Sequence, residues 1–156
     1  MSENGEVNNC LFPKNLYYRV EDNTWLQKND DGTVTIGMTD MAQTLAGSIL
    51  HATPKKVGQK RPKGKPIAVV ESSKWVGPVK SPVSGEIVES NDSVKETPAL
   101  INKSPYKQGW IVKIKPDNLD GDLAELLTGD PAVEAYRKKV EESNLEACVH
   151  CEGFEI

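Results

Sequence analysis

The sequence predicts a mostly β domain closed by helices at its C-terminal end. Two observations carry this. Short apolar runs alternate with Gly, Pro, Asn and Asp, and 12 Gly and 10 Pro among 156 residues suit many short strands joined by turns. After Asp117 the apolar spacing changes from the strand period to the helical one. At 156 residues the chain holds one domain with short extensions.

Residues 1–15 are polar until Leu11-Phe12-Pro13 and read as a flexible arm, in which Cys10 is a free thiol. The stretches 16–20, 24–27 and 33–36, the last behind the turn Asn29-Asp30-Asp31-Gly32, read as a β-meander. A short helix follows, with Thr39 as N-cap, Asp40 at the positive end of the helix dipole and Gly47 where a left-handed cap is wanted. Residues 48–52 are strand-like, 66–70 form a buried strand and 83–88 another, and Lys74 stands in the connection between those two. Thr97-Pro98 pairs an N-cap with proline at the first helical position, opening a helix through Asn102, and 109–114 is a late strand. Beyond it Leu119, Leu123, Leu126 and Leu127 share one helical face, and Asp130-Pro131 restarts a helix bearing Val133, Tyr136 and Val140. The division is therefore an arm at 1–15, a β domain at 16–116, packed helices at 117–147 and a cysteine-containing tail at 148–156.

The net charge of −4 and pI near 5.3 give no general attraction to nucleic acid or anionic lipid. No apolar run approaches the roughly 18–20 residues of a membrane span, and Met1-Ser2-Glu3-Asn4-Gly5-Glu6 lacks the basic and apolar regions of a signal peptide, so a cytoplasmic location is expected. In that compartment three Cys argue against a structural disulfide. One segment runs against the acidic balance, with Lys55, Lys56, Lys60, Arg61, Lys63 and Lys65 close together; it reads as a solvated loop or as a docking patch for an acidic partner.

Catalytic constellations are weak. Neither His51 nor His150 lies near a Gly-x-Ser-x-Gly element, and no glycine-spaced turn opens a helix after a strand to cradle phosphate. An exposed lysine amine on a tight turn suits covalent attachment better than acid–base work, which needs burial to lower its pKa. Lys74 is thus a handle, and the chain is expected to be no enzyme.

Three segments extend this reading. They are Glu71-Ser72-Ser73-Lys74 followed by Ser81-Pro82-Val83-Ser84-Gly85-Glu86; Thr35-Ile36-Gly37-Met38-Thr39-Asp40-Met41-Ala42-Gln43; and Leu100-Ile101-Asn102-Lys103-Ser104-Pro105-Tyr106 with Gly109-Trp110-Ile111-Val112-Lys113-Ile114-Lys115-Pro116. Together the sequence resembles the H protein of the glycine cleavage system over about residues 16–130. The resemblance implies a flattened β-barrel or sandwich of the lipoyl-carrier type and lipoate attached to Lys74 by a lipoate ligase or lipoyltransferase. It makes Glu71, Ser73, Trp75 and Gly85 the flank of the hairpin, Glu71 presenting the turn and Gly85 allowing the chain to return.

Departures from the family mark the cargo pocket. Thr24 stands where a glutamate precedes the first tryptophan, Leu45 where a histidine is common, and Pro78 where an aspartate ends the turn. Each charge-assisted bond to an aminomethyl group is worth about 1.5–3 kcal/mol, so three losses favour a neutral, polarizable cargo. Lys74-Trp75-Val76-Gly77-Pro78 is similar to the lipoate-binding H-protein homologues of the heterodisulfide-reductase-like sulfur-oxidation pathway, and a sulfur intermediate shuttled to that complex is the favoured expectation. The alternative is the aminomethyl carrier working with the glycine cleavage P, T and L proteins. A non-lipoylated interaction module and a lipoylated relay feeding acyltransferases are the other classes. Trp75 is either a pocket wall or partner contact, or a surface ring packing the hairpin. Cys148-Val149-His150-Cys151 could ligate metal with His150, or exchange disulfides with a dihydrolipoyl arm, and is otherwise a frayed tail of reduced thiols, the favoured reading.

Overall fold

The computed structural model describes residues 3–156. The chain opens with a hairpin, β1 (Asn4–Val7) and β2 (Cys10–Pro13), whose turn places Asn8 and Asn9 at φ 49° and 66°. Two positive φ values in a two-residue connection match strand twist, and asparagine tolerates them best after glycine. This corrects the expectation of a flexible arm, whose residues 1–2 lie outside the described residues. Phe12 and Cys10 are fully buried, and an added Cβ on Gly5 would lie 2.2 Å from Val133 Cγ2, so the hairpin is packed tightly on the body.

The meander follows as β3 (Tyr17–Arg19), a 3-10 turn at Val20–Asp22, β4 (Thr24–Lys28) and β5 (Val34–Met38). Next come α1 (Asp40–Ala46), β6 (Ile49–Pro54), β7 (Lys60–Arg61), β8 (Pro66–Ser72), β9 (Val76–Lys80) and β10 (Gly85–Ser90). The remainder is α2 (Asp92–Glu96), α3 (Leu100–Lys103), β11 (Val112–Pro116), α4 (Leu119–Leu123), β12 (Leu127–Thr128) and α5 (Gly129–Glu142). A seven-stranded sheet in the order β12-β3-β4-β5-β11-β10-β7 faces a three-stranded sheet, β6-β8-β9. Ile36, Ile87 and Ile114 from the first meet Ile67, Ala68 and Val70 from the second in one buried core, so the body is a flattened sandwich. A second core forms on the outer face of the large sheet, where Phe12 stacks on Tyr136 of α5 at 4.2 Å and Tyr18 and Trp25 close the cluster.

Two elements differ from the sequence reading in ways that matter. The partner of β8 across the Lys74 turn is β9, not the strand at 83–88, which became β10 in the other sheet. Gly77 and Pro78 read as loop, yet β9 is an edge strand and proline there forfeits no ladder bond. In the C-terminal quarter α4 is a single short turn capped by Asn118, and Leu127 leaves the helical face to pair with Tyr18 as β12. Only α5 is a full amphipathic helix, burying Ala132, Val133, Tyr136 and Val140.

The tail is the largest correction. Cys10 and Cys148 are joined by a disulfide with Cα atoms 4.8 Å apart, and both are buried. Cys148 N–H donates to Asn8 O at 2.9 Å, Val149 N–H to Thr44 Oγ1 at 3.2 Å, and Glu155 N–H to Lys103 O at 2.7 Å. His150 Nε2 lies 2.7 Å from Oδ2 of the fully buried Asp40 and its ring stacks on Phe154 at 3.8 Å. Residues 145–156 therefore form a strap across α1, and Cys10 is no free thiol. The partners of Cys10 and Cys148 lie at opposite ends of the chain, which local spacing does not reveal.

Candidate functional site

Lys74 stands in the connection between β8 and β9, three residues long. Ser72, buried at its base, organises the turn: its Oγ accepts from the N–H of Lys74 at 3.2 Å and of Trp75 at 3.0 Å. The Ser72 N–H in turn donates to Trp75 O at 2.7 Å. Such hydroxyl-closed turns are stiff, so the lysine is presented on a defined stalk. Sequence reasoning missed Ser72, although a serine two residues before the tip is the signal for this turn.

The rest of the stalk is built by two glycines. Trp75 lies over β9, and a Cβ on Gly77 would come within 2.3 Å of its Cζ2. Behind the turn, Gly47 at the end of α1 has φ 80°, and a Cβ there would stand 3.0 Å from Lys74 Cε and 3.6 Å from Nζ. The aliphatic stem of Lys74 is thus laid against the helix terminus. Its Nζ makes no hydrogen bond or ion pair among the described residues, so the amine is free to react. Helix α1 starts as the sequence predicts, with Thr39 Oγ1 accepting from Ala42 N–H at 3.1 Å, and Gly47 N–H closes it on Gln43 O at 3.0 Å. At φ 80°, ψ −162°, however, Gly47 is not the left-handed cap expected; it takes a positive-φ extended conformation instead. Asp40 does more than favour the dipole, since its carboxylate also receives Leu11 N–H at 2.9 Å and Gln43 Nε2 at 2.9 Å.

Two grooves open on either side of the lysine. The first, about 400 Å³, runs between α1 and the hairpin and is lined by Met38, Ala42, Leu45, Lys74, Trp75 and Pro78 among others. Its acidic wall residue, Asp22, is held by Arg19 at 2.6 Å. The second, also about 400 Å³, lies past the end of α1 and includes Ser73, Lys74, Asn102, Val149 and Cys151.

The sequence-derived residues divide accordingly. Lys74, Trp75, Leu45 and Pro78 meet in the first groove, and Ser73 faces the second with Lys74. Trp75 serves both of its readings, as groove wall and as packing for the hairpin. Thr24 does not join them: it is buried in β4, with Oγ1 unpartnered among the described residues. Glu71 is an exposed β8 residue paired across to His51 and Val76 and lines neither groove. Gly85 is no hairpin residue; a Cβ there would lie 2.3 Å from Lys115 O, so it lets β10 approach β11. Cys148 and His150 are committed to Cys10 and Asp40, and among the described residues no cluster of His, Cys, Asp and Glu is set to hold a metal. In the basic segment Lys63 pairs with Glu125 and Arg61 Nε donates to Pro66 O at 2.8 Å, which ties two of the six cations down. Among the described residues no helix is long and apolar enough to cross a membrane.

A β sandwich that holds an unpartnered lysine amine on a short turn beside an apolar groove has the layout that a carrier domain for a covalently attached arm requires. The model of the family described as glycine cleavage H-protein matches residues 16–142. Glycine cleavage system H protein 3 of Aquifex aeolicus is 50% identical over 149 residues, covering 94% of this chain and 92% of its own. Probable glycine cleavage system H protein 2 of Sulfolobus acidocaldarius is 42% identical over 139 residues, covering 88% and 93%. The crystal structure of a glycine cleavage system H protein from Mycobacterium marinum superimposes with a TM-score of 0.70 at 29% identity, covering 80% of this chain and 98% of that one. The chain belongs to the glycine cleavage H-protein family. Members carry lipoate covalently on a lysine and act with partner enzymes rather than as catalysts.

Proposed function

We propose that Lys74 is the lipoylated lysine and that this chain is a lipoyl carrier, passing a bound intermediate between separate enzymes. The free amine on the Ser72-closed turn is the observation that carries this reading. The lipoyl group fits the residues present: a ligase can reach the exposed tip, and the adjoining groove offers Leu45, Met38, Ala42 and Trp75 to a dithiolane and its alkyl chain. Bound there, lipoate supplies a pair of thiols that can be loaded and reoxidised. The reading puts the chain in the cytoplasm with a lipoate ligase or lipoyltransferase, and there burial of Cys10 and Cys148 is what keeps their disulfide from soluble reductant.

The names of the relatives support the aminomethyl group of glycine cleavage as cargo, with the P, T and L proteins as partners. The sulfur intermediate and heterodisulfide-reductase-like partner expected from the sequence gain no support from those names. One observation keeps that second reading: Leu45 and Pro78 line the first groove, and its carboxylate, Asp22, is already neutralised by Arg19, which leaves little to attract an ammonium. Intact mass after incubation with lipoate ligase, lipoate and ATP tests the carrier role. A single lipoyl increment that Lys74→Arg abolishes is expected, and an increment that survives the substitution overturns the assignment. Incubation of the lipoylated protein with glycine decarboxylase P protein, pyridoxal phosphate and glycine labelled at its methylene carbon separates the cargoes. Efficient labelling supports aminomethyl, and its absence with a P protein that loads another H protein supports sulfur.

A further inference from the structure

The tail leaves one cysteine unused, and its position is not arbitrary. Cys151 is exposed and free, three residues beyond the disulfide that pins the strap. It lines the same groove as Lys74 and Ser73, past the end of α1. Independent ties fix that wall: the disulfide and the His150–Asp40 contact on one side, and on the other Ser104 Oγ donating to Glu155 Oε1 at 2.6 Å. Gln43 Nε2 donates to Val149 O at 2.9 Å, holding the residue before His150 against α1. A thiol thus lines the groove that the lysine also lines, while Cys10 and Cys148 are closed off by their own bond.

We propose that Cys151 is a resident exchange partner for the lipoyl arm, so that the second groove is a seat in which the arm is held covalently. The inference rests on Lys74 bearing lipoate. In the step, Cys151 Sγ attacks one sulfur of the oxidised dithiolane. The ring S–S bond breaks, a Cys151–lipoyl disulfide forms, and the other lipoyl sulfur leaves as a thiolate that takes up the proton lost by Cys151. One disulfide replaces another, so no external oxidant or reductant is required. Return attack by the freed lipoyl thiol reforms the ring and releases Cys151. Tethering both sulfur centres to one body makes the step intramolecular, with an effective concentration far above that of a soluble thiol. Held there, the arm stays off the first groove until a partner draws it out.

The experiment uses the full chain, lipoylated in vitro, its modification confirmed by intact mass, then denatured near neutral pH in excess N-ethylmaleimide, which caps free thiols before they can exchange, and digested without reductant. A peptide joining Cys151 to lipoyl-Lys74 is expected, absent from Cys151→Ser and from Lys74→Arg. A second readout is the alkylation rate of Cys151 in the native protein, which falls severalfold on lipoylation. A lipoylated protein with no cross-linked peptide and an unchanged alkylation rate overturns the inference and leaves the carrier role standing. A protein that accepts no lipoyl group overturns both.

Discussion

Removing the Cys10–Cys148 disulfide tests whether the strap is part of the fold. The bond spans 138 residues, so it closes nearly the whole chain into a loop. The loop-closure relation gives a chain-entropy contribution of roughly 5 kcal/mol for that span, and native disulfides deliver about 2–5 kcal/mol in practice. The Cys10→Ala/Cys148→Ala double variant avoids placing hydroxyls in a buried site and keeps Cys151. It is expected to lose about 4 kcal/mol in urea unfolding and, at about 2–4 °C per kcal/mol for a domain of this size, roughly 10 °C in Tm. Some strap order should persist through Asp40–His150 and Glu155–Ser104, so Cys151 becomes more reactive without the body unfolding. Thiol titration of the oxidised protein, denatured without reductant, should find one reactive cysteine of the three. Three reactive thiols, or a double variant within about 1 kcal/mol of the parent, would refute the reasoning.

Other outcomes follow from the stalk and the strap. Gly47→Ala places a side chain at φ 80°, ψ −162°, a region close to glycine-only, and sets its Cβ against Lys74 Cε; a loss of about 1–3 kcal/mol in stability and slower lipoylation are expected, and a neutral change would contradict the packing. Gly77→Ala drives the Trp75 ring off β9, which should shift tryptophan emission with little change in Tm, because the ring is partly exposed; an unaltered spectrum of the Trp75 signal argues against the stacking. Ser72→Ala removes the acceptor for two turn amides, worth about 1 kcal/mol each, and should lower the ligase rate more than global stability. Hydrogen bonds from Ser104, then Gln108, hold the Glu155 carboxyl below its ordinary value of 4.5, so its tie is complete above that pH and is lost as pH falls through the lowered value. Carboxyl-carbon NMR of Glu155 should show the depressed midpoint, and a midpoint at or above the ordinary value would remove the carboxylate from the strap's fastening.

Much of this protein was legible from local chemistry. Helix α1 follows from Thr39, Asp40 and Gly47, whose effects act within one turn of the chain. The meander follows from alternating apolar residues, and the lysine handle from its place in a turn-rich stretch between buried strands. Local signals failed where a neighbour distant in sequence decided the outcome. Val76-Gly77-Pro78-Val79 is a strand because an edge position excuses its proline and the Trp75 ring needs the bare glycine. Gly85 looked like a turn residue and is a close approach of two strands.

The sequence by itself therefore determined which segments are strands and turns, the capped helix and the lysine carried in the turn-rich stretch, because each of these is set by residues near one another along the chain. Only the tertiary structure decided that the two ends of the chain are joined through Cys10 and Cys148, that Thr24 lies in the core while Leu45 and Pro78 face the groove, and that Cys151 shares a groove with Lys74. Those facts are set by the packing of two cores against a sheet whose strand order is not sequential, and no pattern of spacing encodes which distant side chains that packing brings together.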